Sequence, residues 1–423
     1  MLVWGKKWGW MELAGAAFAV GIVLAAILKM EFLLRIWKHY TSYADAELWV
    51  DITVLQAAVH GGAVCLDGSP PAYHWHPGTG SGSRNWIVFL EGGAWCSDHA
   101  SCAQRARTSF GSSDLMDRQT LFLGILSNSA QENPDFYNWN RVKVKYCDGA
   151  SFAGNVNTTV TVAFDSDSQQ ALGLMYRGEK IWKAVVSDLL SKGMSNAEMA
   201  LLGGCSAGGL AATLHCSSFK ELLPRTTYVK CVSDGGYFLD AKDIAGNFSF
   251  RSFFKDVVDI HNARENLPEA CVAEHDAQCF FPQYVAPHIH VPIFFVNPAY
   301  DVWQIQNIFI PDAADPDRKW TTCKYNPYVC SQDQLSVLQG FRTEFLKAVE
   351  YVRGVDQSGL FIDSCFSHCQ LEGLTWNTNT IGNKTIREAF GDWYFARGGS
   401  SWKSIDCPYP CNPTCIKWTS WRH

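Results

Sequence analysis

One stretch of the chain has the residue types of a nucleophilic serine. Gly204-Cys205-Ser206-Ala207-Gly208 matches G-x-S-x-G and lies between a short apolar run and a segment of helical spacing. In a strand-to-helix turn that pattern lifts the serine Oγ above a sheet, and the flanking glycines avoid clashes across the turn. Serine is a poor nucleophile unaided and needs a base and a group that orients the base. In α/β-hydrolases both partners follow the serine in the order acid, then histidine. Asp301 fits the acid, because it follows the apolar run 292–296 through Asn297-Pro298-Ala299-Tyr300. Asp234 and Asp363 are its rivals. Seven histidines follow the serine, at 215, 261, 275, 288, 290, 368 and 423. His215 belongs to the helix after the serine and faces away from it. His368 sits on a late loop in Cys365-Phe-Ser-His-Cys369, where two cysteines could clamp it, and is the chosen base.

A developing oxyanion also needs backbone donors. Glu91-Gly92-Gly93-Ala94-Trp95-Cys96 follows the apolar run 85–90 and is the right kind of loop, so the N–H groups of Gly93, Ala94 and Ala207 are the expected hole. The chemistry that follows is ester hydrolysis. Ser206 attacks the carbonyl, His368 takes and returns the proton, Asp301 holds the imidazole tautomer, and water hydrolyses the acyl-enzyme. It implies no metal and no organic cofactor. Trp95, Tyr237, Tyr300 and Trp303 lie near these motifs and could stack on sugar rings, while Arg105, Arg107 and Lys145 could meet sugar carboxylates.

These residues need strands to end at them. Apolar or alternating runs at 50–55, 85–90, 142–146, 200–204, 228–232 and 292–296 read as strands. Helical spacing appears at 179–191, 208–215 and 334–353, while 70–83, 354–364 and the tail from Cys407 read as loops. Strands alternating with helices give an α/β-hydrolase-like fold, a mostly parallel central sheet flanked by helices. No linker divides residues 46–423, which read as a single catalytic domain.

The 423 residues are 47% hydrophobic and 18% charged, enough to fill a large core and exclude a disordered chain. A net charge of −6, with no basic stripe, excludes a nucleic-acid partner. Sixteen cysteines occur without any C-x-x-C pair, which favours disulfides over zinc sites. Disulfides require an oxidising compartment. Sequons at Asn157, Asn247 and Asn383 agree with export. Residues 1–45 read as a targeting segment. Lys6 and Lys7 precede an uncharged run at 13–28, longer than a typical signal peptide core and shorter than a typical span. It reads either as a signal peptide or as an uncleaved membrane anchor.

At this point the chain resembles the plant pectin acetylesterases, a family that also includes the animal Notum carboxylesterases. The resemblance rests on LEGGAWC at 90–96, VKYCDGASFAGN at 144–155, GCSAGG at 204–209, VKCVSDGGYF at 229–238, NPAYDVWQI at 297–305, CFSHCQ at 365–370 and IDCPYPCNPTC at 405–415. The family's serine, aspartate and histidine fall on Ser206, Asp301 and His368. The resemblance implies removal of acetyl groups from pectin in the plant cell wall. Two alternatives are a Notum-like deacylase of longer acyl esters and a catalytically silent wall-binding module. One departure stands out: Ala94 occupies a place where the family usually has a third glycine, and alanine reaches positive φ only at a cost.

Overall fold

The computed structural model describes residues 47–163, 171–398 and 402–416. Trp49–His423 closes into one compact unit. The other unit, Met1–Leu48, lies almost wholly outside the described residues, and the run 13–28 with it. Among the described residues no helix is long and apolar enough to cross a membrane.

The strands, in chain order, are β1 Leu48–Val54, β2 Ala72–His76, β3 Asn85–Leu90, β4 Gln119–Phe122, β5 Asn140–Val144, β6 Val160–Ala163, β7 Ala171–Leu174, β8 Met199–Cys205, β9 Tyr228–Asp234, β10 Ile293–Val296, β11 Gly359–Ile362, β12 Thr380–Ile381, β13 Lys384–Thr385 and β14 Lys403–Ile405. Ten of them form one sheet in the order β14-β11-β10-β9-β8-β3-β5-β2-β1-β4. From β5 across to β14 every pairing is parallel. β2 then runs antiparallel to both β5 and β1.

Burial explains the sequence of the central strands. In β3 the five residues from Trp86 to Leu90 are all buried, and β8 is buried except at its ends. A strand covered on both faces has no polar side, so it reads as a continuous apolar run. Parallel neighbours also require a crossover, here supplied by helices. Helix α1 (Gly178–Ser191) leads into β8 and buries Ile181, Trp182, Val185, Val186 and Leu189. Helix α2 (Ala207–Leu222) joins β8 to β9.

The expected loops at 70–83 and 354–364 each contain a strand. β2 (Ala72–His76) carries His74, fully buried with Nδ1 at 2.9 Å from the Val50 carbonyl, so polar letters conceal an inward-facing position. β11 is only four residues long, all buried, too short for periodicity to register. The helix expected over 334–353 divides at Val349 into α3 (Gln332–Ala348) and a turn of helix at Glu350–Gly354. All sixteen cysteines pair, forming eight disulfides, as their number and spacing predict.

Candidate active site

Every expected site residue of the triad lies just beyond the carboxyl end of a parallel strand, the edge at which open α/β sheets bind ligands. Ser206 follows β8 and N-caps α2, Asp301 follows β10, and His368 follows β11. Ser206 sits at φ 58° and ψ −126°, the strained conformation that a nucleophile elbow imposes. Its N–H donates to the Asp234 carbonyl at 2.8 Å on the neighbouring strand. The turn has no room for side chains around it. A Cβ on Gly204 would lie 2.2 Å from the Gly208 carbonyl oxygen, and one on Gly208 would lie 2.0 Å from that of Leu90. Those contacts explain the glycines two before and two after the serine.

Asp301 is fully buried. Its Oδ1 accepts the Gln304 N–H at 2.9 Å, and its Oδ2 accepts His368 Nδ1–H at 2.7 Å. The first bond fixes the carboxylate plane; the second fixes the imidazole tautomer, leaving Nε2 as the basic nitrogen. Nε2 is buried and makes no hydrogen bond among the described residues. Burial disfavours the imidazolium, but the charge and hydrogen bond of Asp301 and the charge of Asp234 outweigh it and hold the His368 pKa above the ordinary 6.5.

The rival acids do other work. Asp234 Oδ2 accepts the N–H groups of Gln370 and Leu371 at 2.6 and 2.8 Å, and Asp363 accepts Gln370 Nε2 at 2.6 Å and the Cys365 N–H at 2.9 Å. Both brace the loop that carries His368. Burial pushes Asp234 up to about 7 and Asp363 up to about 6. The disulfide Cys205–Cys369 ties the residue before Ser206 to the residue after His368. Neither the bracing nor that pairing could be deduced from spacing.

The loop after β3 abuts the serine: a Cβ on Gly92 would lie 2.8 Å from Ser206 Cβ. Gly93 has φ 145° and Ala94 has φ 55°. Ala94 therefore does adopt the left-handed region where the glycine was expected. Among the described residues the N–H groups of Gly93, Ala94 and Ala207 have no hydrogen-bond partner, whereas those of Glu91 and Cys96 do. The Gly92 and Trp95 N–H groups are likewise without a partner among the described residues, so the loop that abuts Ser206 carries donors that can receive a developing oxyanion.

The four aromatics divide. Trp303 is half-buried and stacks over His368, centroids 6.4 Å apart. Trp95 is buried and donates its indole N–H to Ser151 Oγ at 2.7 Å. Tyr237 and Tyr300 are interior residues whose hydroxyls bond to the Ala348 carbonyl and to Gln339 Oε1, so neither offers a ring face to a sugar. Their place in the core reflects aromatic packing, Tyr237 against Phe295 and Phe345. Lys145 pairs with Glu91, and Arg105 with the Gly93 carbonyl. His215 is buried against Trp182, with its Nε2 at 3.2 Å from the Phe152 carbonyl. A cleft of about 680 Å³ lies elsewhere, lined by Lys242, Phe248, Phe341 and Lys347 among others, with no triad residue in its wall.

The chain matches the family described as Pectinacetylesterase over residues 43–416. It is 47% identical to pectin acetylesterase 5 of Arabidopsis thaliana over 371 residues, covering 86% of this chain and 84% of that protein. With pectin acetylesterase 11 of the same plant it shares 48% over 395 residues, 91% of this chain and 98% of the relative. Palmitoleoyl-protein carboxylesterase notum1a of Danio rerio is 29% identical over 388 residues, 83% of this chain and 70% of that protein.

Proposed function

The chain belongs to the pectinacetylesterase family, and from that premise we propose that it is a serine carboxylesterase that hydrolyses acetyl esters of pectin. Ser206 is its nucleophile, His368 its general base and acid, and Asp301 the group that orients the base. Gly93, Ala94 and Ala207 supply the oxyanion donors. The observation that carries the reading is the Asp301–His368 hydrogen bond at 2.7 Å, on a loop that the Cys205–Cys369 disulfide ties to the residue before Ser206 in its strained strand-to-helix turn.

The relatives named palmitoleoyl-protein carboxylesterases raise a second reading, a deacylase of long chains. Ring packing near the site favours the short acyl group. Trp95 meets Phe238 and Phe254 at 4.8 Å and Trp303 at 5.6 Å, and Phe238 meets Trp303 at 5.3 Å. Trp303 in turn covers His368, so these rings fill space beside the base that a long chain would need. The reading extends to export to the cell wall by way of residues 1–45, and to N-glycans on Asn157, Asn247 and Asn383, all three exposed.

The test is product release by purified protein from acetylated pectin and from an octanoyl ester under the same conditions. Acetate release with at most weak octanoate release is expected. Preference for the octanoyl ester would move the chain to the long-chain reading, and activity on neither by folded protein would defeat both.

A further inference from the structure

The oxyanion loop is held from behind by a cation. Arg105 Nη1 donates to the Gly93 carbonyl at 2.7 Å. A peptide group is planar and trans, so the N–H of Ala94 points opposite to the C=O of Gly93. Whatever fixes that carbonyl therefore aims the Ala94 N–H. We infer that Arg105 is a positioning residue for the oxyanion hole, acting through the Gly93–Ala94 peptide.

Three observations support this beyond the single bond. First, the guanidinium is itself fixed. Its Nε donates to the Phe110 carbonyl at 3.0 Å, and its Cζ lies 4.8 Å from the Tyr146 ring centroid and 5.4 Å from that of Phe110. Arg105 ends the short helix His99–Arg105, which the Cys96–Cys102 disulfide ties to the same loop. Second, the next peptide is held in the same way. Tyr146 Oη donates to the Ala94 carbonyl at 2.9 Å and accepts the Ser151 N–H at 3.0 Å. Ser151 Oγ then accepts the Trp95 indole N–H and donates to the Ala207 carbonyl at 2.8 Å, which fastens the loop to the first turn of α2. Third, the loop and the segment that braces it need such restraint, because Ala94 in the first and Ser151 and Phe152 in the second hold positive φ. Strained backbone persists only where its surroundings over-determine it.

Charge adds to aim. A cationic donor on a carbonyl polarises the amide and strengthens its own N–H as a donor. Arg105 thus places a positive charge one peptide behind the position where negative charge develops. That benefit grows as the ester carbonyl becomes an oxyanion, so it acts on the transition state more than on bound substrate.

The inference rests on the proposed oxyanion donors, and its test must separate the two. The full chain is compared with Arg105→Met, Arg105→Lys and Ser206→Ala on a soluble acetyl ester. Rates are divided by the number of sites that a fluorophosphonate labels to completion. Affinity for a trifluoromethyl ketone is measured alongside, because addition of Ser206 Oγ to its carbonyl carbon, with the proton passing to His368, leaves an oxyanion in the hole. Arg105→Met is expected to lower kcat per labelled site roughly tenfold or more, with KM within about twofold, and to weaken the ketone by a similar factor. Arg105→Lys, which keeps the charge, should recover part of both. Unchanged kcat per labelled site and unchanged ketone affinity in Arg105→Met, or losses in Arg105→Lys as large as in Arg105→Met, would overturn the inference and leave Arg105 a packing residue. Activity surviving in Ser206→Ala, or no inhibition of the parent by the ketone, would instead break the reading beneath it.

Discussion

His368 connects two carboxyls with opposite duties. Asp301 holds its Nδ1, while Asp234, buried beneath the same loop, adds negative charge without a direct bond to the ring. Only the neutral imidazole can accept the serine proton. A pKa held above 6.5 therefore means that kcat/KM falls as pH drops through a midpoint above the ordinary histidine value. Burial pushes Asp234 up to about 7, into the same pH range, so that limb belongs to the pair. Asp234→Asn removes the charge and keeps one acceptor for the Gln370 and Leu371 N–H groups. The expected result, from kcat/KM profiles across roughly pH 5 to 8, is an acid limb displaced to lower pH. An unmoved limb would show that Asp234 serves only as a loop brace. The proposed triad could be picked from sequence because Ser206 directly follows an apolar run and Asp301 and His368 lie on loops a few residues beyond others. Asp234 was legible only as a rival acid, since its contact with Gln370 spans 136 residues.

At the scale of elements, the elbow and the late loop come from strands that are not neighbours: β9 and β10 lie between β8 and β11. Cys205–Cys369 bridges that gap beside both the proposed nucleophile Ser206 and the proposed base His368. Cross-linking residues 164 apart in sequence restricts the unfolded chain, and losing such a bridge commonly costs about 2–4 kcal/mol. Replacing both cysteines by alanine should therefore lower the thermal midpoint and also lower kcat per labelled site, because the base loses its tether to the nucleophile. A lower midpoint with undiminished kcat would make the bridge a stabilising link alone. The major parallel strands were readable from their apolar runs. β2, β11 and β14 were not: β2 turns a histidine inward, β11 has four residues, and β14 has three, none of them fully buried. Short strands are specified by the neighbours they pair with, here the Leu360 N–H donating to the Trp402 carbonyl at 2.8 Å, and not by their own periodicity.

For the whole molecule, eight disulfides and three exposed sequons describe a protein built for an oxidising compartment. Its parallel sheet gathers Glu91, Ser206, Asp234, Asp301 and His368 at one edge, although they come from five different strand ends. That gathering is why a chain with scattered motifs can work as a single esterase. The most direct test is to quench the purified protein during turnover of acetylated pectin and to map acetyl groups by peptide mass. An acetyl adduct on the peptide containing Ser206, with acetate release abolished in Ser206→Ala, is the expected result. Acetate release that continues in Ser206→Ala, with no adduct on that peptide in the parent protein, would contradict it.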